Sequence, residues 1–278
     1  MQNAREASPQ QTPATHEEGR AQPSPSLQLL EAAAQQAAAR VVRVRGEPVY
    51  VLSVWPWRET SVIAELLTEH HGRAAVTVKG AKRPGGKFRG LINLFNPLLV
   101  NYSGAGEVKN LTDARWLGGL ALIPPEAMTS AFYATELVLR MTVREDPCPG
   151  LFAAYTELLA SLAHEKGLAL EAALRRFEVR LLAALGWAQA GGYEQTPGEG
   201  GDAARLWTVR SGALTEVKAL LPGEEPVPEA VVRAIARAEF TDAAVIRRSR
   251  AVLRAIIGYY VGERGLNTRA TIALWAGI

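Results

Sequence analysis

The chain has 278 residues, 48% of them apolar, with 31 Lys and Arg against 28 Asp and Glu and a formal net charge of +3. That length leaves room for two domains, and the apolar share excludes global disorder. A single cysteine, Cys148, excludes an internal disulfide and a multi-cysteine zinc site.

Residues 1 to about 26 are rich in Gln, Pro, Ser, Thr and Ala, and Leu29 to Arg40 is Ala-rich with a thin apolar face. Residues 1–40 therefore read as a disordered, low-complexity tail carrying at most a marginal helix. The tail lacks the apolar centre of a signal peptide, and no run in the chain is long enough to span a membrane. The expected location is cytoplasmic, without membrane contact.

From Val41 the period changes to that of strands. Val49–Val54, Ser61–Leu67, Arg73–Val78, Pro97–Tyr102 and Val108–Thr112 are short, apolar or alternating, and bounded by Gly-rich turns. Five such strands within residues 41–120 predict a small closed barrel, of OB or SH3-like type. After Leu122 the period becomes helical. Helices are predicted from Pro124 and Pro125 to Arg140, over Leu151–His164 and over Leu168–Leu185, the last stopped by Gly186. Leu206–Val209 and Ala213–Val217 can pair across Ser211-Gly212. Pro228 opens another helix, Thr241 or Asp242 caps a long one ending near Gly262, and Asn267 caps a short last one. The fold class is thus α+β in two domains: a barrel over 41–120, then a mainly helical domain over 121–278 with a small β insertion near 187–222.

The stretch from Lys79 to Arg89 carries Lys79, Lys82, Arg83, Lys87 and Arg89 and no acid, spaced by glycines and a proline. So much Gly and Pro predicts a mobile loop rather than a helix. Between Val41 and Trp116 there are 11 basic against 6 acidic side chains, so the positive excess sits in the barrel. A cationic loop on a barrel suits phosphates, and adjacent aromatics suit stacked bases. Arg58 and Arg115 join the loop cations as candidates, with Trp57, Phe88 and Trp55 for stacking. The glycine loop is not a nucleotide-binding loop: Gly86 stands where lysine is needed, and no Ser or Thr follows to hold magnesium. His70 and His71 fall in a predicted turn, and no HExxH or nucleophile-elbow pattern occurs. Neither a metal, a cofactor nor an enzymatic activity is expected. On α-helical spacing Arg176 and Arg180 share a face, close to Arg175. Arg247, Arg248, Arg250 and Arg254 make another helix strongly basic.

Trp55-Pro56-Trp57-Arg58-Glu59-Thr60-Ser61, Thr68-Glu69-His70-His71-Gly72-Arg73, Val78-Lys79-Gly80-Ala81-Lys82, Phe95-Asn96-Pro97-Leu98-Leu99 and Gly104-Ala105-Gly106-Glu107-Val108-Lys109 form an ordered set. Ala173 to Glu178, Leu181 to Trp187, Gly258-Tyr259-Tyr260 and Asn267-Thr268-Arg269 extend it. Over about residues 48–272 this set resembles the bacterial RecO family. The resemblance implies an N-terminal OB-fold, a helical C-terminal domain and binding of single- and double-stranded DNA. It further implies annealing of complementary strands, and partnership with the single-strand-binding protein SSB, with RecR and, indirectly, with RecA during recombinational DNA repair in the nucleoid. It also implies that Arg175, Arg176 and Arg180 receive the acidic, apolar-tipped SSB tail. Many members carry a four-cysteine zinc module after the central helix; the matching stretch, Gly191 to Asp202, has no Cys, so no zinc is expected. An RNA-binding or ribosome-associated OB protein is the alternative that shares barrel and loop.

Overall fold

A computed structural model describes residues 41–119, 122–187, 205–262 and 265–268. The tail over 1–40, the cysteine-free stretch from Gly191 to Asp202 and Arg269 lie outside the described residues.

Alternation of apolar side chains closes five strands into a barrel: β1 (Val42–Trp57), β2 (Ser61–Thr68), β3 (Arg73–Val78), β4 (Pro97–Gly104) and β5 (Val108–Trp116). The order is β1-β2-β3-β5-β4, and β4 returns to β1. All neighbours run antiparallel except β3 and β5, which are parallel. This is an OB-like arrangement, and closure removes exposed sheet edges. Val49, Val51, Val62, Ala64, Leu66, Val76, Val78, Leu98 and Val100 fill the interior.

β1 is far longer than the apolar run Val49–Val54 that predicts it. Its first half pairs with β4 and its second with β2, so polar residues such as Arg43 and Arg45 are drawn into the sheet by hydrogen bonding. Register shifts between Val44 and Glu47 and between Val51 and Ser53 let one strand bend around both neighbours.

Helices α1 (Pro125–Met141), α2 (Leu151–His164) and α3 (Gly167–Ala184) follow, then the hairpin β6 (Leu206–Arg210) and β7 (Ala213–Val217), then α4 (Glu229–Arg237) and α5 (Ala243–Val261). Proline opens α1, where its missing N–H costs nothing. Asp242 caps α5 by accepting the Val245 N–H at 2.9 Å. Ser211 and Gly212 both take positive φ, 48° and 76°, as a tight hairpin turn requires.

Barrel and helices share one apolar cluster. Tyr50, Leu52 and Leu67, on the barrel's outside, pack with Leu137, Val138, Tyr155, Leu158 and Phe177. Tyr50 meets the Phe152 and Tyr155 rings at centroid distances of 5.2 and 5.3 Å. A polar fastener lies beside this contact. Buried Glu65 of β2 accepts from Arg73 Nη1 at 2.7 Å and from Arg144 Nε and Nη2 at 2.9 and 2.8 Å. Arg144 belongs to the segment just after α1, so the fastener ties that segment to the sheet. Gly72 faces the same segment: a β-carbon there would sit 2.1 Å from the Asp146 carbonyl oxygen, and its φ is +70°. Among the described residues, no helix is long and apolar enough to cross a membrane.

Candidate nucleic-acid interface

Strand alternation assigns each barrel side chain a face. Val62, Ala64 and Leu66 of β2 and Ala74, Val76 and Val78 of β3 point inward. Ser61, Ile63, Glu65 and Leu67 therefore point outward, as do Ala75 and Thr77. The registers Trp57↔Ser61, Trp55↔Ile63, Ile63↔Thr77 and Thr77↔Asn110 extend that outer face across β1, β2, β3 and β5. The helices cover its Tyr50–Leu67 end. Among the described residues the other end stays open, and Trp55 and Trp57 remain 36% and 44% exposed there.

Over this open end lies a groove lined by Trp57, Arg58, Glu59, Thr60, Ser61, Thr77, Lys79, Gly80, Arg83 and Asn110. Three routes bring its cations together. Arg58 sits in the tight β1–β2 turn with a left-handed φ of 54°. Lys79 continues the outer set of β3 beyond its last residue. Arg83 comes from the glycine loop, whose turns begin with Lys82 N–H donating to the Thr60 carbonyl at 3.0 Å. Glu59 is the one acid among these lining residues, against three cations.

The glycine loop is not the mobile arm expected. Its backbone makes successive turns, Arg83 N–H to Gly80 O, Gly86 N–H to Arg83 O, Arg89 N–H to Gly86 O and Leu91 N–H to Phe88 O, at 2.9–3.2 Å. Gly86 is required where the loop crosses itself, since a β-carbon would lie 2.4 Å from the Gly80 carbonyl oxygen. Phe88 pins the loop by inserting into the barrel interior, leaving 8% of its surface exposed. The expectation that Phe88 stacks on bases is therefore corrected: burying an apolar ring in the barrel is worth more than leaving it in water.

Lys82, Arg83, Lys87 and Arg89 are all exposed. Lys87 is not free: its Nζ lies 2.6 Å from Asp113 Oδ1 and 5.5 Å from the Phe88 ring centre. The hydrogen bond from Lys87 holds the Asp113 carboxyl below its ordinary range. Arg115 is exposed on β5 opposite Leu99 and does not line the groove. The structure thus gathers Arg58, Lys79, Arg83 and Trp57, sets Lys82 beside them, and places Lys87, Arg89 and Arg115 elsewhere. Sequence reasoning missed Ser61, Thr77 and Asn110 as the groove's polar residues. The β3–β5 pairing that brings Asn110 there is parallel and non-local, and it leaves no short-range pattern.

A second cleft, of about 410 Å³, lies among α1, α3 and α5. Thr129, Ser130, Tyr133, Leu170, Glu171, Leu174, Arg175, Glu178, Ile246, Arg250 and Arg254 line it. Here the expected arginine cluster is divided. Arg175 is buried and bonds Glu178 Oε1 at 2.9 Å, while the Tyr133 hydroxyl donates to the same oxygen at 2.7 Å. Arg175 Nε has no hydrogen-bond partner among the described residues. Arg180 pairs with Glu157 of α2, and neither it nor Arg176 lines this cleft. The exposed cations at its mouth are Arg250 and Arg254, one turn apart on α5. Arg248 turns instead to Glu225, at 3.0 Å.

The histidine turn is built on buried Glu47. One oxygen accepts the His70 N–H at 2.7 Å, and the other lies 3.2 and 3.3 Å from the Nδ1 atoms of His70 and His71. Among the described residues, no group of three or more His, Cys, Asp or Glu is arranged to hold a metal ion.

Fold and site define a class first: an OB-like barrel with a cationic, tryptophan-edged groove, continued by a helical domain. Residues 46–120 match the family model described as Recombination protein O N terminal, and residues 125–270 match Recombination protein O C terminal. A DNA repair protein RecO of Aromatoleum aromaticum is 36% identical over 235 residues, covering 83% of this chain and 95% of that protein. Its namesake in Thiobacillus denitrificans is 36% identical over 239 residues, covering 82% and 91%. One in Burkholderia lata is 44% identical over 159 residues, covering 56% of each chain. The chain belongs to the RecO family, and the family assignment supports a role in DNA repair and recombination.

Proposed function

We propose that the protein is a non-catalytic recombination mediator that binds single- and double-stranded DNA on the open end of the barrel and anneals complementary strands. The observation that carries this reading is the convergence of Arg58, Lys79 and Arg83 with Trp57 at one groove. Annealing needs no nucleophile. Cations that screen two phosphate backbones let complementary strands approach, and base pairing supplies the driving energy. Lys82 continues the cationic surface, and Lys87, Arg89 and Arg115, outside the groove, are exposed cations for further phosphate contacts. The barrel, residues 41–120, is the DNA-binding module; residues 121–278 recruit partners.

The helical cleft suits the acidic, apolar-tipped C-terminal tail of SSB. Leu170, Leu174 and Ile246 offer the apolar wall, while Arg250 and Arg254 offer charge to a carboxylate-rich peptide. Bringing SSB-coated strands to the barrel, together with RecR, places the protein upstream of RecA loading in the cytoplasm at the nucleoid.

Annealing of complementary oligonucleotides, with chelator present and ATP absent, tests the first half. The wild type accelerates pairing and a variant with Arg58, Lys79 and Arg83 changed to Ala does not; a strict requirement for metal or ATP contradicts it. Titration of a fluorescent SSB-tail peptide tests the second. Arg250→Ala with Arg254→Ala weakens binding by about tenfold or more, since hydrogen bonds to charged groups contribute roughly 1.5–3 kcal/mol.

A further inference from the structure

Away from the helices, the barrel's outer face carries two large aromatic rings that stay partly exposed among the described residues. Trp55 and Trp57 are 36% and 44% exposed, although tryptophan is on average a highly buried residue. They lie two residues apart on one strand and so on one face, about 6.7 Å apart along β1. Their registers, to Ile63 and Ser61, place them on the outer surface shared with Thr77 and Asn110. The cations Arg58, Lys79 and Arg83 border the same surface.

We propose that Trp55 and Trp57 form a two-ring platform for unpaired bases, so that this face takes single-stranded DNA in preference to duplex. The inference rests on the reading of the groove as a DNA site and adds to it the form of DNA held there. Charge selects a polyanion, since three cations face a single acid, Glu59. The rings then select the strand form. In a duplex the base faces are occupied by neighbours about 3.4 Å away, and only phosphates and groove edges are offered. Unpaired nucleotides, pulled apart from one another, have base faces free to lay on indole. Thr77 and Asn110 supply hydrogen-bonding groups beside the rings without demanding a particular base. Stacking is tolerant of sequence because every base has a π-face. The platform thus holds a strand with its bases turned toward the protein, while duplex is gripped through the cations alone.

The test uses the full chain, a dT oligomer that cannot pair with itself, and a blunt duplex of equal charge, at one salt concentration. Trp55→Ala with Trp57→Ala weakens dT binding by at least about tenfold, from stacking worth roughly 5- to 150-fold per ring, and changes duplex binding by less than about twofold. Trp55→Leu with Trp57→Leu, which keeps apolar bulk on this face, shows the same selective loss. Unchanged dT affinity, or equal losses on both DNAs with the circular dichroism spectrum intact, overturns the proposal. The triple variant Arg58→Ala, Lys79→Ala, Arg83→Ala separates this from the parent reading. If it leaves both affinities unchanged, the groove is not the DNA site at all. If it weakens both while the tryptophan variants do not affect dT, the groove stands and the platform falls.

Discussion

Glu65 is 1% exposed, and two guanidinium groups, those of Arg73 and Arg144, pair with its carboxylate. A buried carboxylate without them would face a large desolvation cost. Removing the carboxylate leaves Arg73 and Arg144 facing each other in a poorly solvated space. Glu65→Ala is expected to destabilise the protein by about 3–5 kcal/mol. Arg144→Ala costs less, about 1 kcal/mol, since Arg144 is 34% exposed and Arg73 remains bound. Urea midpoints at constant slope check both. On the surface the balance is different. Asp113 occupies Lys87, and its own charge repels phosphate. Asp113→Asn is expected to raise DNA affinity by up to about fivefold at low salt, an advantage that shrinks as salt rises. How far single residues were legible follows from this contrast. Exposed loop cations could be recognised because a run of like charges has nowhere to go but solvent. Phe88 could not, because nothing local distinguishes a ring offered to a base from one used as a staple. Arg175 does line the helical cleft; its pairing with Glu178 one turn on is written in the sequence, but its burial is not.

At the scale of elements, strands and helices followed from local pattern wherever hydrophobic burial dictated it. β3 has the bounds that alternation predicts, and the β6–β7 hairpin turns where Ser211-Gly212 says it should. β1 outran its apolar run because ladder hydrogen bonds to β4 hold its first half even where Arg43 and Arg45 are exposed. The glycine loop is an element in its own right, a series of turns whose crossing leaves no room at Gly86. Gly86→Ala is expected to displace Arg83, lowering both the thermal midpoint and, several-fold, the DNA affinity of the folded protein; equal affinity would show that the loop's shape is unimportant. On the helical side, Glu136 of α1 gathers the Asn267 and Thr268 N–H groups at 2.8 and 2.9 Å, as well as the Thr268 hydroxyl. Burial pushes its carboxyl up, but these bonds and Arg140 outweigh it and hold it below the ordinary value. A depressed value means that the attachment is fully present above the usual glutamate range, about pH 4.3, and is lost as pH falls through the depressed value. Hydrogen exchange at the Asn267 and Thr268 amides should therefore speed up on acidification more than bulk chemistry explains. In Glu136→Gln that acid dependence should vanish.

At the scale of the whole molecule, a barrel groove and a helical cleft sit on one shared apolar core. The barrel segment carries the excess of basic side chains while the full chain is only +3, so the field that attracts a polyanion is local. The Tyr50, Leu52 and Leu67 end of the outer barrel face is spent on joining the helices, while Trp55 and Trp57 at the other end stay partly exposed, the end proposed for DNA. Five short strands with glycine turns made a barrel legible, and a change of period made a helical domain legible. Which barrel end stays open depends on the helices packing against β1 and β2, a contact between distant segments that no local pattern encodes. The most direct test of this division is the salt dependence of binding to a dT oligomer. Each lost single-strand phosphate contact lowers the log–log slope by roughly 0.7, so Arg58→Ala, Lys79→Ala, Arg83→Ala is expected to lower its magnitude by about 2. A slope identical to that of the wild type would contradict the assignment of this groove to the phosphate backbone.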